Sequence, residues 1–295
     1  MIAMTHLTKR YGHYVAVDDV SFDCAAGTVT GFLGPNGAGK STTLRMLTGL
    51  TPPTGGHATI GGRPYAQLPN PGRTVGVMLD AAAQHPGRTG LETLRLAAAL
   101  LDLPRARAGQ MLDRVGLSDA AGKRVGQYSL GMRQRLGIGV ALLGDPEVLI
   151  LDEPANGMDP EGIRWMRELL QHFASDGGTV LLSSHLLGEV QATVDRLVVI
   201  GSGRIVASGG LDELLAGGGV QVRGLDPAGL GAALTTAGLA FHGRPDGGFD
   251  VSAGAEQVGR AAAAAGQVLT ELRSREDGLE ELFFSLTGDH ARTAA

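Results

Sequence analysis

The run GPNGAGKS, Gly34 to Ser41, has the residue types and the spacing to hold a triphosphate. Glycines let the backbone curl so that successive N–H groups converge, and a helix start just beyond them adds partial positive charge that favours an anion. In the pattern G-x-x-x-x-G-K-[ST], Lys40 reaches the β- and γ-phosphates and the Ser41 hydroxyl takes a Mg²⁺ ion. Glycine spacing alone says little in a chain with 47 glycines, but only three lysines exist here and one stands at the required position. The run Gly34, Pro35, Asn36, Gly37, Ala38, Gly39, Lys40 and Ser41, with Thr42 behind it, is expected to bind the nucleotide.

Three further segments put polar groups directly after apolar runs. Asp80 follows Thr74 to Leu79, Asp152 and Glu153 follow Val148 to Leu151, and His185 stands three residues beyond Thr179 to Leu182. Phosphoryl transfer needs positioning, charge neutralisation and an oriented nucleophile rather than covalent help. Asp152 suits the Mg²⁺ shell, Glu153 suits the polarising of an attacking water, and His185 suits a hold on the γ-phosphate or on that water. An Asp-Glu pair after a strand is often only a solvated loop; its company with the cradle is what favours chemistry. Tyr11, in a first turn at Arg10 to His13, offers an aromatic face for a base; Tyr14 is a second candidate, and packing within a small sheet is the plain alternative.

These groups can meet only if the segments before them are neighbouring parallel strands, because open parallel sheets bind ligands outside their carboxyl ends. The continuous apolar runs at Val148 to Leu151 and Thr179 to Leu182 are what strands buried on both faces look like. Residues 2–7, 15–23 and 29–33 read as strands, and the opening is β-rich. TPPTGG at 51–56 marks a loop, and His57 to Ile60 a strand. Thr89 with Glu92 forms a capping pattern for a helix Gly90 to Leu101 that Pro104 stops, and a second helix covers Arg107 to Val115. A third begins at Ser129, with Met132, Leu136, Val140 and Leu143 on one face. Asp159 caps the next helix, with Pro160 at its first position. Arg196 to Ile200 and Arg204 to Ala207 form a hairpin, and Asp212 to Ala216 a short helix before the glycine run 217–219. Beyond it come strands at 220–223, 238–242, 248–252 and 267–272 and helices at 227–237, 255–265 and 277–286, a small α+β module.

Length suggests a large domain and a small one. The formal charge of −5, with 25 dispersed basic residues, argues against nucleic acid as a partner. The single cysteine, Cys24, excludes an internal disulfide. No stretch reaches the ~18 apolar residues of a spanning helix, and the opening residues lack a signal-peptide core, so a cytoplasmic protein without direct membrane insertion is expected.

YSLGMRQRL at 128–136, followed by LLGDPEVLILDEPANGMDP at 142–160, resembles the ATP-binding subunits of ABC transporters, over about residues 1–216. The resemblance implies an α/β P-loop NTPase core with an N-terminal antiparallel β subdomain and an inserted helical subdomain at about 88–143. Residues 1–216 are then the ATP-binding domain and 217–295 an accessory C-terminal α+β module. It also implies ATP and Mg²⁺ as ligands, and a homodimer in which the signature segment binds the γ-phosphate held by the second subunit. Ser129 and the N–H groups of Gly131 and Met132, at a helix start, suit such an anion. The resemblance further implies Tyr11 for the adenine loop, Asp152 for Walker B, Glu153 as catalytic base, Asp159 for the D-loop and His185 for the switch histidine. The partner it implies is a separately encoded multi-span permease, with the ATPase peripheral on the inner face of the membrane.

Two departures stand out. Relatives carry Leu, Gly and Gln where this chain has Tyr128, Leu130 and Met132, a variant similar to the bacitracin- and daunorubicin-resistance branch of exporters. The glutamine that usually contacts Mg²⁺ is replaced by Asp80, with Gln84 four residues on. Export of a drug, antibiotic or lipid-like molecule is the expected function, and a non-transport ABC ATPase acting on ribosomes or nucleic acid the alternative. No N-K-x-D guanine motif supports a GTPase.

Overall fold

The opening alternation builds a ribbon of β1 (Ile2–Tyr11) and β2 (Tyr14–Cys24), antiparallel and paired through to Tyr11 opposite Tyr14. Only Gly12 and His13 are left for the turn, so Tyr11 ends a strand and does not sit in the turn expected at 10–13. A bulge at His6 and Asp19, both with positive φ, resets the alternation so that Leu7 is buried as Met4 is. The structure, a computed structural model, describes residues 1–185, 188, 191–216 and 219–274.

β3 (Thr28–Leu33) leads through the glycine loop into α1 (Lys40–Leu47), and β4 (Gly55–Ile60) returns to the far side of β1. The single turn α2 (Pro71–Thr74) precedes β5 (Val75–Met78). Then come α3 (Gly90–Leu100), α4 (Ala106–Arg114) and α5 (Leu130–Leu142), inserted before β6 (Val148–Asp152). α6 (Pro160–Ser175), β7 (Thr179–Ser184), β8 (Arg196–Gly201), β9 (Arg204–Gly210) and α7 (Leu211–Ala216) complete the stretch before the glycine run.

Six of these strands form one sheet in the order β5-β6-β7-β3-β8-β9, and the pairs from β5 to β8 are parallel. Every residue of β7 and the first four of β6 are buried, which is why Val180 to Leu182 and Val148 to Leu151 are continuous apolar runs. Leu44 and Leu47 of α1 share a core with Ile2 and Val20 of the small sheet and Ile150, Leu181 and Val198 of the large one. Full burial of each leucine is worth roughly 1.5–3 kcal/mol. The helix that starts at Lys40 is thereby fixed from both sides.

The inserted helices begin as their sequence demands. Thr89 Oγ1 accepts the Glu92 N–H at 3.1 Å and Glu92 Oε2 accepts the Thr89 N–H at 2.8 Å, a complete capping box. α4 and α5 pack so closely that a Cβ on Gly139 would lie 3.3 Å from Met111 and 3.2 Å from Val115, the residue that ends α4.

Contacts divide the chain into a unit Met1–Ser208 and a second that begins at Gly209, so α7 falls with the second. That unit continues with β10 (Val220–Gly224), α8 (Pro227–Thr236), β11 (Phe241–Gly243), β12 (Phe249–Val251), α9 (Ala255–Ala264) and β13 (Leu269–Ser274). Its sheet is antiparallel in the order β11-β12-β10-β13, the doubled split βαβ of ferredoxin-like folds. Val220, Val222 and Val251 face Leu230, Leu234 and Val258 of its helices. The strand expected at 238–242 shrinks to Phe241–Gly243 because residues 238 and 239 close the preceding helix. Leu239 N–H bonds Leu234 O and Gly238 N–H bonds Thr235 O, both at 3.0 Å, a Schellman ending. The helix expected at 277–286 lies outside the described residues.

Among the described residues no helix is long and apolar enough to cross a membrane. Cys24 is fully buried at the end of β2, and burial pushes its thiol up to about 12. Native protein should therefore resist thiol-specific alkylation at pH 8 and react one-to-one after denaturation; rapid modification of the native chain would contradict the packing of β2 described above.

Candidate active site

The cradle is built where β3 stops. Gly39 closes it at φ +108°, and a Cβ there would lie 2.6 Å from the Ala16 carbonyl, so only glycine fits. No side chain caps the start of α1 and no acidic residue lies in its first turn, which leaves its positive end to the loop. Lys40 is 6% exposed, and its Nζ donates to Gly34 O at 2.6 Å and to Pro35 O at 3.5 Å. Pro35, Asn36, Gly37 and Ser41 are exposed. The loop thus presents its backbone to solvent while a tethered ammonium sits beneath it.

β5, β6, β7 and β3 are consecutive neighbours, so the segments that end them emerge side by side. Asp152 closes β6, and Ser183 Oγ from β7 donates to its Oδ1. Glu153 follows with φ +50°, its N–H held by Ser183 O at 3.2 Å and Ser183 Oγ at 3.1 Å. Its carboxylate has two partners: Oε2 lies 2.7 Å from His185 Nδ1 and Oε1 lies 3.5 Å from Lys40 Nζ. A carboxylate can only accept, so Nδ1 of His185 is the donor in this pair. The structure joins Lys40, Asp152, Glu153 and His185 in one network, while Tyr11, Asp80, Ser129, Gly131, Met132 and Asp159 stand on other elements.

Ser129 is the N-cap of α5; its Oγ accepts the Met132 N–H at 3.2 Å and its carbonyl accepts the Arg133 N–H at 3.0 Å. The Met132 amide, expected to face an anion, is therefore engaged by the serine itself. The amides of Leu130 and Gly131 precede it, outside the helical ladder. Leu130 lies over Gly157, and a Cβ on Gly131 would be 3.4 Å from the Gly157 carbonyl, so this helix start rests on the loop before Asp159. Asp159 caps α6 through Oδ1 and the Gly162 N–H at 2.8 Å. Tyr11 is 52% exposed at the end of β1, with Lys9 Nζ 5.0 Å above its ring, and Tyr14 opposite is 61% exposed. Asp80 is exposed, and its Oδ1 accepts the Ala82 N–H at 2.7 Å, capping the turn Ala81–Ala83.

Two residues of the site escaped the motif reading. Ser183 looks like the tail of an apolar run, and only the β6–β7 register sets it opposite Asp152. Gln134 is buried in α5 and its Nε2 donates to Glu153 O and Asn156 O. A polar residue among the apolar positions of that helix was the available signal. Tyr128 explains its own departure: it is 3% exposed, and its hydroxyl donates to Ala120 O at 2.7 Å. It is a core residue of the helical lobe, and burial pushes its phenol up.

The donors near the cradle, the Ser41 hydroxyl and the Asp152 carboxylate, are hard oxygens of the kind Mg²⁺ takes when phosphate and water complete its shell. Among the described residues no group of three or more His, Cys, Asp or Glu gathers to hold a metal unaided. Anion cradle, metal-suited carboxylate and a carboxylate–histidine pair together can do phosphoryl transfer to water.

Residues 17–156 match the family described as ABC transporter, and residues 218–280 match a domain of unknown function. The chain is 40% identical over 217 residues to the bacitracin transport ATP-binding protein BcrA of Bacillus licheniformis, covering 72% of this chain and 71% of the relative. It is 36% identical over 301 residues to the daunorubicin resistance ATP-binding protein DrrA3 of Streptomyces coeruleorubidus, covering 96% of this chain and 95% of the relative. A solved ATP binding subunit of an ABC transporter superimposes with a TM-score of 0.67 at 30% identity, over 72% of this chain and 91% of that one.

A Cβ on Gly90, at the start of α3, would lie 2.2 Å from the Tyr128 hydroxyl. Tyr128→Phe should lower stability by about 1 kcal/mol through the lost hydrogen bond. Gly90→Ala should destabilise more in the wild type than in the Tyr128→Phe background. Urea midpoints for the four proteins measure this, and equal costs of Gly90→Ala in both backgrounds would remove the contact.

Proposed function

The chain belongs to the family of ABC transporter ATP-binding subunits, and we propose that it works as one of a pair of ATPases driving a separately encoded permease that exports a drug or antibiotic. It binds ATP and hydrolyses it. The observation that carries the mechanism is the Glu153 carboxylate lying between Lys40 and His185 at the strand ends beneath the cradle.

In this reading the converging amides of the loop and the start of α1 take the β- and γ-phosphates, and Lys40 neutralises charge there. Lys40 already lies beside Glu153, so ammonium, phosphate and base share one small volume. Glu153 accepts the proton of the attacking water, a role typically worth 10²- to 10⁴-fold. His185 gives Nδ1–H to Glu153 and thereby orients Nε2 toward the γ-phosphate or the water. Ser41 and Asp152 would hold Mg²⁺, which when bound would supply neutralisation of phosphate charge. Asp80, whose Oδ1 already accepts the Ala82 N–H, would meet that ion only through a water.

The start of α5 is a second anion site, on a different element from the cradle. Ser129 and Gly131 there would close on the γ-phosphate of a second copy, which gives a dimer around two ATP, and Asp159 would lie along the same interface. Tyr11 offers its exposed ring to the adenine. The permease fits a cleft of about 560 Å³ between the sheet and the helical lobe, lined by Met78, Leu79, Leu96, Leu100 and Val140 with Asp80 and Arg88 among its polar groups. Apolar walls with a few charges suit the end of a permease helix, and that docking would hold the ATPase on the cytoplasmic face of the membrane. The named relatives act in bacitracin transport and daunorubicin resistance, which supports export of an antibiotic or drug.

Glu153→Gln keeps the shape and removes the base. With ATP and Mg²⁺ it should lose at least about 100-fold in turnover and accumulate as a dimer on size exclusion, whereas Lys40→Ala should bind ATP weakly and stay monomeric. Undiminished hydrolysis by Glu153→Gln would refute the assignment of the base, and a monomer at saturating ATP would refute the clamp. For the metal, titrating Mg²⁺ against ATPase rate should give a shifted curve for Asp80→Gln; superimposable curves with equal maxima would exclude Asp80 from the shell.

A further inference from the structure

Gln134 is 5% exposed on α5, one turn beyond the Ser129 cap. Its Nε2 donates to Glu153 O at 3.3 Å and to Asn156 O at 3.1 Å, both in the loop that leads from β6 to α6. Two carbonyls can be met only by the NH₂ of an amide, so the orientation of the side chain is dictated by its partners. Its Oε1 is buried without a hydrogen-bond partner among the described residues. A buried oxygen left unpaired is unfavourable, and methionine would fill the same space without it. The amide is therefore kept against the local preference for an apolar side chain.

What those two bonds hold is the least relaxed residue of the site. Glu153 has φ +50°, outside the range that side chains with a Cβ favour, and such a conformation persists only where its surroundings over-determine it. Ser183 holds its N–H and Gln134 holds its C=O, so the backbone is pinned on both sides of the carboxylate that reaches His185 and Lys40. One pin comes from the sheet. The other comes from the helix whose first residues form the second anion site.

We propose that Gln134 is a positioning residue that transmits the seating of the α5 start to Glu153, so that the base is set when the helix start has engaged an ATP. This rests on the reading of Glu153 as base and of Ser129 as clamp. In a dimer the α5 start serves the nucleotide of the partner while Glu153 serves the chain's own, and Gln134 is then the link within one chain between the two ATP sites. The linkage is physical and short: a helix turn, one side chain and a peptide carbonyl.

The test is steady-state ATPase kinetics on the full chain carrying Gln134→Met, with Gln134→Glu as a second variant that keeps the shape but has no N–H to give. Both should lower kcat by about 10- to 100-fold, the scale of a misplaced catalytic group, with KM for ATP changed less than twofold. On the Glu153→Gln background, Gln134→Met should cause no further loss of turnover and should leave the ATP-driven dimer intact, since the two changes act through one carboxylate. Wild-type kcat in Gln134→Met overturns the inference, as does a loss of equal factor on the Glu153→Gln background. Loss of the dimer together with a lowered melting temperature also overturns it, since that is the mark of packing alone. If Glu153→Gln itself keeps its turnover, the base assignment fails; if it is inactive while Gln134→Met is fully active, only the link fails.

Discussion

Parallel strands buried on both faces leave a polar group few places to emerge, and the carboxyl ends of β5, β6, β7 and β3 are where this chain puts them. The middle of β6 and of β7 is Val, Leu and Ile, since an unpaired polar atom between two covered faces is costly. Polarity therefore begins abruptly at Asp152, Ser183 and the glycine loop. The same constraint that builds the core concentrates charge at one edge. The burial of α1 between the small and large sheets then fixes the direction in which the loop's amides point.

At that edge the geometry trades local relaxation for placement. Glu153 in a left-handed conformation costs of the order of 1–3 kcal/mol, and Lys40 is an ammonium with 6% exposure. Neither would persist alone. Lys40 is satisfied by the Gly34 carbonyl and by the nearby Glu153 carboxylate, and Glu153 by His185, Ser183 and Gln134. Each unfavourable group is compensated by a group from a different strand or helix, which makes the cluster a property of the assembled sheet.

The helical lobe absorbs the unusual signature without disturbing this arrangement. Tyr128 turns inward, donates to the Ala120 carbonyl and lies against Gly90 at the start of α3, so the departure from leucine is spent on packing within the lobe. Ser129, the next residue, stays outward as the helix cap. The helix cap at Ser129 is thus formed independently of the residue before it, whose side chain belongs to the core.

Local chemistry was legible in the sequence wherever it depends on neighbours along the chain. The cradle is a matter of glycine and lysine spacing, the capping box of Thr89 and Glu92 is three residues long, and the buried strands declare themselves by unbroken apolar runs. The small errors lie at element ends, where pairing partners decide: β1 and β2 stay paired to Tyr11 and Tyr14, and the C-terminal strand expected from 238 is delayed by a helix ending at 238–239. What only the tertiary structure decided is how the ends meet. Ser183 reaches Asp152 because β6 and β7 pair in one register, and Gln134 reaches Glu153 because α5 packs beside the loop after β6. A hydrogen bond between residues far apart in sequence leaves no spacing to read, since its length is set by the packing of whole elements and not by the chain between them.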